Sequence, residues 1–118
     1  MNKPKRQGTA FETWNVDLAK AFGYFAERIA EGGAKDIGDV RVTTWADDVI
    51  LECKHRDRLN IHEAVAKAKA KAEGHGLTAV VWKRSTMKAG NNRRSQVGVP
   101  IVAMSIEDFY ELLGDNSI

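Results

Sequence analysis

Cysteine is nearly absent from this chain: Cys53 stands alone, so no intramolecular disulfide can form and no multi-cysteine zinc site exists. Cys53 reads as a small buried hydrophobe and not as a thiol nucleophile or zinc ligand. No apolar run approaches the length of a membrane span, and no membrane partner is expected. His62 and His75 lie too far apart in sequence to make a recognisable metal motif. Internal repeats and low-complexity segments are missing as well. The opening Met1–Gly8 is basic but lacks the apolar segment of a signal peptide. Together with the lone thiol, this points to a reducing cytoplasm.

What is present suits one domain. A chain of 118 residues with 43% hydrophobic residues can bury a single core. Net charge is only +2, yet the charges are unevenly spread. Residues 83–94 hold Lys83, Arg84, Lys88, Arg93 and Arg94 without an acid, whereas the tail from Ser105 holds Glu107, Asp108, Glu111 and Asp115 without a base. Such asymmetry is the footprint of a surface for a polyanion, although a charge run is also the ordinary composition of a solvated loop.

The chain is organised around Asp39–Lys54. Two β-branched runs, Val40–Thr44 and Val49–Lys54, flank the polar corner Ala46-Asp47-Asp48, which predicts a hairpin. Side chains alternate along a strand, so Ile50, Glu52 and Lys54 share one face and Val49, Leu51 and Cys53 the other. Asp39, at the start of the partner arm, is expected to reach the same strand end as Glu52. Buried charges need partners, and two neighbouring carboxylates invite a cation between them. Magnesium, a hard ion with oxygen ligands, would satisfy both. The plainer alternative is a Glu52–Lys54 ion pair on a solvated face. Asp36 competes with Asp39 for the metal role; Asp39 is preferred because Val40 and Val42 place it at a strand start and Gly38 allows close approach of a ligand.

Around this hairpin the pattern predicts the remaining elements. Residues 1–8 form a basic mobile arm, 9–114 a single domain and 115–118 a tail. A helix from Thr9 to Phe22 shows Phe11, Trp14, Leu18 and Ala21/Phe22 at helical spacing. Thr9 and Glu12 fit a capping box, and Gly23 ends the helix. Tyr24–Ala30 is a strand with Tyr24, Phe25 and Ile29 as packing residues. Asn60 and Glu63 cap a second helix to about Glu73, whose small apolar face is Ile61, Ala64, Val65, Ala68 and Ala72. Lys67 and Lys71 share one side of it. Leu77–Trp82 is a buried strand, residues 85–96 a basic loop, and Val97–Met104 a strand that Pro100 assigns to an edge. Ser105 caps a last helix carrying Ile106, Phe109, Leu112 and Leu113. This order builds an α/β fold with a mixed central sheet flanked by helices.

Asp39 followed by Glu52-x-Lys54 resembles the signature of the PD-(D/E)XK nuclease superfamily, and Gly33–Val40 resembles the loop that opens the second strand in small phage and archaeal Holliday junction resolvases. Gly8-x-x-x-Glu12 is similar to the first-helix glutamate of those enzymes. Their loop often carries a serine or threonine, which is missing here. The resemblance implies a restriction-endonuclease-like α-β-β-β-α-β core and a metal-dependent endonuclease that cuts branched DNA. It implies Asp39, Glu52 and the Cys53 backbone carbonyl as ligands of Mg2+, which Mn2+ can replace, with Glu12 a further candidate ligand. Lys54 would orient or help deprotonate the attacking water. DNA contacts are expected from Lys5, Arg6, Lys35, Arg56, Arg58, Lys83, Arg84, Lys88, Arg93 and Arg94. Two-fold symmetric junctions require two cuts, so a homodimer is expected in a bacterial, archaeal or phage-infected cytoplasm. The alternatives are a restriction- or repair-type duplex endonuclease, or a non-catalytic DNA-binding module on a nuclease fold.

Overall fold

The computed structural model describes residues 3–30, with backbone alone for 3–7, then 36–84 and 99–114. The element order is α1 (Lys3–Ala21), β1 (Phe25–Arg28), β2 (Val40–Thr43), β3 (Asp48–His55), α2 (Ile61–Lys71), β4 (Leu77–Lys83), β5 (Ile101–Ala103) and α3 (Ile106–Gly114). It is an α/β fold whose five strands form one sheet in sequence order. β1, β2 and β3 are antiparallel neighbours, β3 and β4 run parallel, and β5 returns antiparallel to β4. The β2–β3 hairpin and the mixed sheet match the sequence expectation. Parallel neighbours need a crossover, and α2 supplies it.

The two faces of β3 separate as its alternation demands. Ile50 packs with Ile37 and Ala72, and Val80 of β4 packs with Ala64 and Ala68, so α2 covers this face through its small side chains. Those alanines let the helix lie close to the sheet; they are consumed by the core and not left for a partner. On the other face Val49, Leu77 and Ala79 meet Leu51 of β3 and, from the C-terminal segment, Met104 and Leu112. Cys53 also points this way, with the Asn15 amide of α1 3.6 Å from its sulfur.

Three expectations for the N-terminal elements need correction. α1 starts at Lys3, not Thr9, so residues 3–8 are its first turns and not an arm. Pro4 explains why: in a first turn its missing N–H has no intrahelical partner to lose, and its φ suits a helix. Thr9 then sits inside the helix, and the Thr9–Glu12 capping box does not form. The inward stripe of α1 also differs. Phe11, Asn15 and Val16 are buried, while Trp14, Leu18 and Phe22 are exposed. Asn15 tolerates burial because its amide donates to the Phe11 carbonyl at 2.9 Å. Finally, β1 is short, and Tyr24 and Phe25 are exposed; of the residues expected to pack, Ile29 alone joins a core cluster.

The caps of α2 and α3 follow the sequence. Asn60 accepts from the Glu63 N–H at 3.1 Å, and the Ser105 hydroxyl accepts from the Asp108 N–H at 3.1 Å. α2 is shorter than expected, ending at Lys71 with Ala72 as its C-cap. Asp108 does more than expected of an acidic tail residue. It is buried, and one carboxylate oxygen accepts from Lys69 of α2 at 3.0 Å and from the Thr78 N–H of β4 at 3.2 Å. It therefore ties α3 to the neighbouring helix and strand. Asp108→Ala leaves the buried Thr78 N–H without its acceptor and should cost about 1–3 kcal/mol. Urea melts of the two proteins measure this; equal midpoints would remove Asp108 from the stabilising contacts.

Candidate functional site

Backbone pairing assembles the charged end of the sheet. In the β2–β3 register Val40 faces Leu51 and Thr43 faces Asp48, so the start of β2 lies beside the C-terminal half of β3. Asp39 is fastened there twice. Its N–H donates to the Leu51 carbonyl at 2.9 Å, and its Oδ2 accepts from the Cys53 N–H at 2.8 Å. The parallel register of β4 brings Trp82 and Lys83 alongside Lys54 and His55.

Gly38 makes this seat possible, though not by admitting a ligand as expected. Its φ is +149°, and a Cβ built there would lie 2.5 Å from Ile50 Cγ2. The space is taken by the protein's own core, which draws the chain against β3 immediately before Asp39.

Glu52 and Lys54 project from the α2 face, as alternation predicts. The Lys54 ammonium is 3.6 Å from Glu52 Oε2. A second lysine binds Glu52 more tightly: Lys71 Nζ donates to Oε1 at 3.0 Å and to Oε2 at 3.2 Å. The same ammonium lies 3.0 Å from Asp36 Oδ2. Asp36 also accepts from the Gly38 N–H through Oδ1 at 3.1 Å, so it closes the loop before Asp39 and anchors Lys71. Burial lowers the Lys71 pKa, but the hydrogen bonds to Asp36 and Glu52 and their charges outweigh it, and the net shift is upward.

Glu12 approaches from α1. Its Oε1 accepts from Arg28 Nε at 3.0 Å, an ion pair that joins the helix to the end of β1. Arg28 was not among the expected site residues. Burial raises the Asp39 carboxyl to about 6, reinforced by the Glu52 and Glu12 charges; the Cys53 N–H and Lys71 only partly offset the rise. Asp39 forms no ion pair among the described residues. Burial also pushes the Cys53 thiol upward, reinforced by Asp39, which agrees with its reading as an inert side chain.

Of the expected site residues, the structure thus gathers Asp39, Glu52 and Lys54 at one sheet end with Glu12 close enough to be felt by Asp39. It adds Lys71, Asp36 and Arg28. Among the described residues no group of three or more His, Cys, Asp or Glu side chains could hold a metal ion, and Glu12 is committed to Arg28. Magnesium, however, is commonly bound through one or two carboxylates with waters and phosphate oxygens completing its shell. Asp39 and Glu52 fit that requirement in donor chemistry, with the Cys53 carbonyl as the oxygen next along the chain.

Cations surround this end. Lys54, Arg56, Arg58 and Lys67 line one groove with Asn60 and Glu63. Trp82 Nε1 donates to the Arg56 carbonyl at 2.8 Å, and the Arg56 N–H donates to the Lys83 carbonyl at 3.0 Å, holding the loop after β3 against β4. Arg84 is 3.7 Å from Asp57. Lys35, Lys88, Arg93 and Arg94 lie outside the described residues, as do the side chains of Lys5 and Arg6.

Comparison with protein-family models and with curated proteins finds no match to this chain.

The raised Asp39 carboxyl has a consequence for stability. Its folded value of about 6 exceeds the ordinary 3.8, so the folded state holds the proton more tightly. Stability contributed by this group is therefore present below pH 3.8 and lost as pH rises through 6. Asn at position 39 keeps an acceptor for the Cys53 N–H without the charge. In chelator, Asp39→Asn should be more stable than wild type at pH 7.5 by on the order of 1–2 kcal/mol, allowing for partial solvent access, and the gain should vanish near pH 4. Urea melts at both pH values test this; a gain larger at pH 4 would reverse the assignment.

Proposed function

We propose that this protein is a divalent-metal-dependent DNA endonuclease of the PD-(D/E)XK type, with a restriction-endonuclease-like core, that cuts branched DNA as a Holliday junction resolvase. The observation that carries this reading is the seat of Asp39 on the Cys53 N–H, beside Glu52 and Lys54. Pairing between β2 and β3 keeps a partly buried carboxylate, without an ion-pair partner among the described residues, next to a second carboxylate and an ammonium. A core has no use for such a group, whereas a cation site does.

In this reading Asp39 and Glu52 hold magnesium, or manganese in its place, with the Cys53 carbonyl. When bound there, the ion would supply an acidified water and neutralise charge on the scissile phosphate. Lys54 stands two residues beyond Glu52 on the same face, where its ammonium orients that water and holds a phosphate oxygen. Glu12 acts from the rim: its carboxylate is tied to Arg28 and adds negative potential at Asp39. Arg56 and Arg58, in the groove that Lys54 closes, attract the backbone without reading bases. The resolvase reading adds a homodimer, since two symmetric cuts need two sites. With the small face of α2 packed on β4, the exposed Ile101 and Val102 of the edge strand β5 offer the apolar surface for that contact.

The test is magnesium-dependent cutting of four-way junctions, flaps, plain duplex and single strands by the purified chain. Paired symmetric nicks on the junction, and a dimer by light scattering, are expected. Equal cutting of duplex by a monomer would replace the junction reading with a duplex endonuclease. Binding without any cutting would leave a DNA-binding module. Asp39→Ala, Glu52→Ala and Lys54→Ala should each lower cleavage by roughly 10²-fold or more with circular dichroism unchanged; full activity in Glu52→Ala would refute the mechanism. Neutralising Arg56 and Arg58 together should weaken binding to all sequences alike and lower the salt slope by about 0.7–0.9 per lost phosphate contact. An unchanged slope would put the DNA on another surface.

A further inference from the structure

Lys71 is the side chain that neither the hairpin signature nor the basic groove accounts for. Its ammonium reaches both oxygens of Glu52, at 3.0 and 3.2 Å, and Asp36 Oδ2 at 3.0 Å. These three contacts are shorter than the 3.6 Å between Lys54 and Glu52. The Glu52 side chain is 12% exposed, so little water competes for its oxygens. Lys71 is the last residue of α2, and Ala72 beyond it packs on Ile37 and Ile50. Core packing therefore sets the base of the lysine beside the carboxylates, and the long side chain needs no backbone movement to leave them.

We infer that Lys71 is the resident counter-ion of this carboxylate site, and that a divalent cation takes Glu52 only by displacing the ammonium, which Asp36 retains. The inference rests on the metal site proposed above and adds a competitor to it. A carboxylate whose two oxygens both accept from one ammonium has its most favourable acceptor directions occupied. A doubly charged ion at the same oxygens would also meet a like charge, which repels it. Asp36 offers a second anchor on the loop before Asp39, so displacement leaves the lysine paired and not stranded. Lys71 is accordingly a positioning residue: it keeps Glu52 in place before the ion arrives and sets how tightly the ion is held.

Calorimetric titration of the full chain with MgCl2 and with MnCl2, with no DNA present, tests this directly. Lys71→Met keeps the length and removes the charge, Lys71→Arg keeps the charge, and Lys67→Met removes an exposed lysine of the same helix that pairs with Glu63. Lys71→Met should bind both ions on the order of tenfold more tightly than wild type, a coupling of ordinary allosteric size. Lys71→Arg and Lys67→Met should bind as wild type does. Melting temperatures read the same competition: without metal Lys71→Met should melt below wild type, and saturating Mg2+ should raise its midpoint by more. Unchanged or weaker binding in Lys71→Met, while Glu52→Gln abolishes it, would overturn the displacement and leave the metal site standing. Equal tightening in Lys67→Met would reduce the effect to net charge and overturn it too. Absence of ion binding in wild type and Lys71→Met alike would remove both the displacement and the metal site beneath it.

Discussion

The main-chain pairing of β2 with β3 is the constraint on which the charged site depends. Because Val40 faces Leu51, Asp39 arrives beside Cys53, and its carboxylate takes an N–H at the strand end. A slip of one residue would turn every side chain of β3 over, sending Glu52 and Lys54 to the face covered by α1 and α3. Val40 and Ile50, each almost wholly buried but on opposite faces of the sheet, and Gly38 pressed against Ile50 oppose such a slip. Placement of the carboxylates is thus a by-product of core packing a few ångströms away.

Charge at this end is balanced in separate parcels. Glu12 is answered by Arg28, Glu52 by Lys71 and more loosely by Lys54, and Asp36 by Lys71 again. Asp39 has one backbone donor and, among the described residues, no ion pair of its own. That inequality separates the site from an ordinary surface network, where each ion pair is exposed and worth little. It leaves one carboxylate partly buried and electrostatically unsatisfied, the condition under which a cation gains most.

The hairpin, the shared face of Ile50, Glu52 and Lys54, the α2 cap at Asn60 and the edge position of the last strand were legible because each follows from local rules: alternation, turn composition and capping. The extent of that strand was not, since Ile101–Ala103 stands within the expected Val97–Met104. Lys71 was legible only as a helix lysine. Its partner lies nineteen residues upstream, and the contact exists because the alanine face of α2 seats that helix over β3, a tertiary event that periodicity does not register. Arg28 was hidden for a similar reason, since its partner Glu12 belongs to a helix whose start was misplaced. Helical spacing at Phe11, Trp14, Leu18 and Phe22 identified a helix but not its inward side, because Asn15 could satisfy its amide on the Phe11 carbonyl and take a buried position. The acidic tail misled through composition: Asp108 is a buried tie between α2, β4 and α3 and not part of a solvated surface.

The central claim is that Asp39 and Glu52 together form a divalent-cation site. Anomalous diffraction from a crystal of the wild-type chain soaked in MnCl2 addresses it most directly. One strong manganese peak bound by both carboxylates is expected, with Lys71 moved off Glu52. A peak elsewhere, or none, with Lys71 still on both Glu52 oxygens, would contradict it.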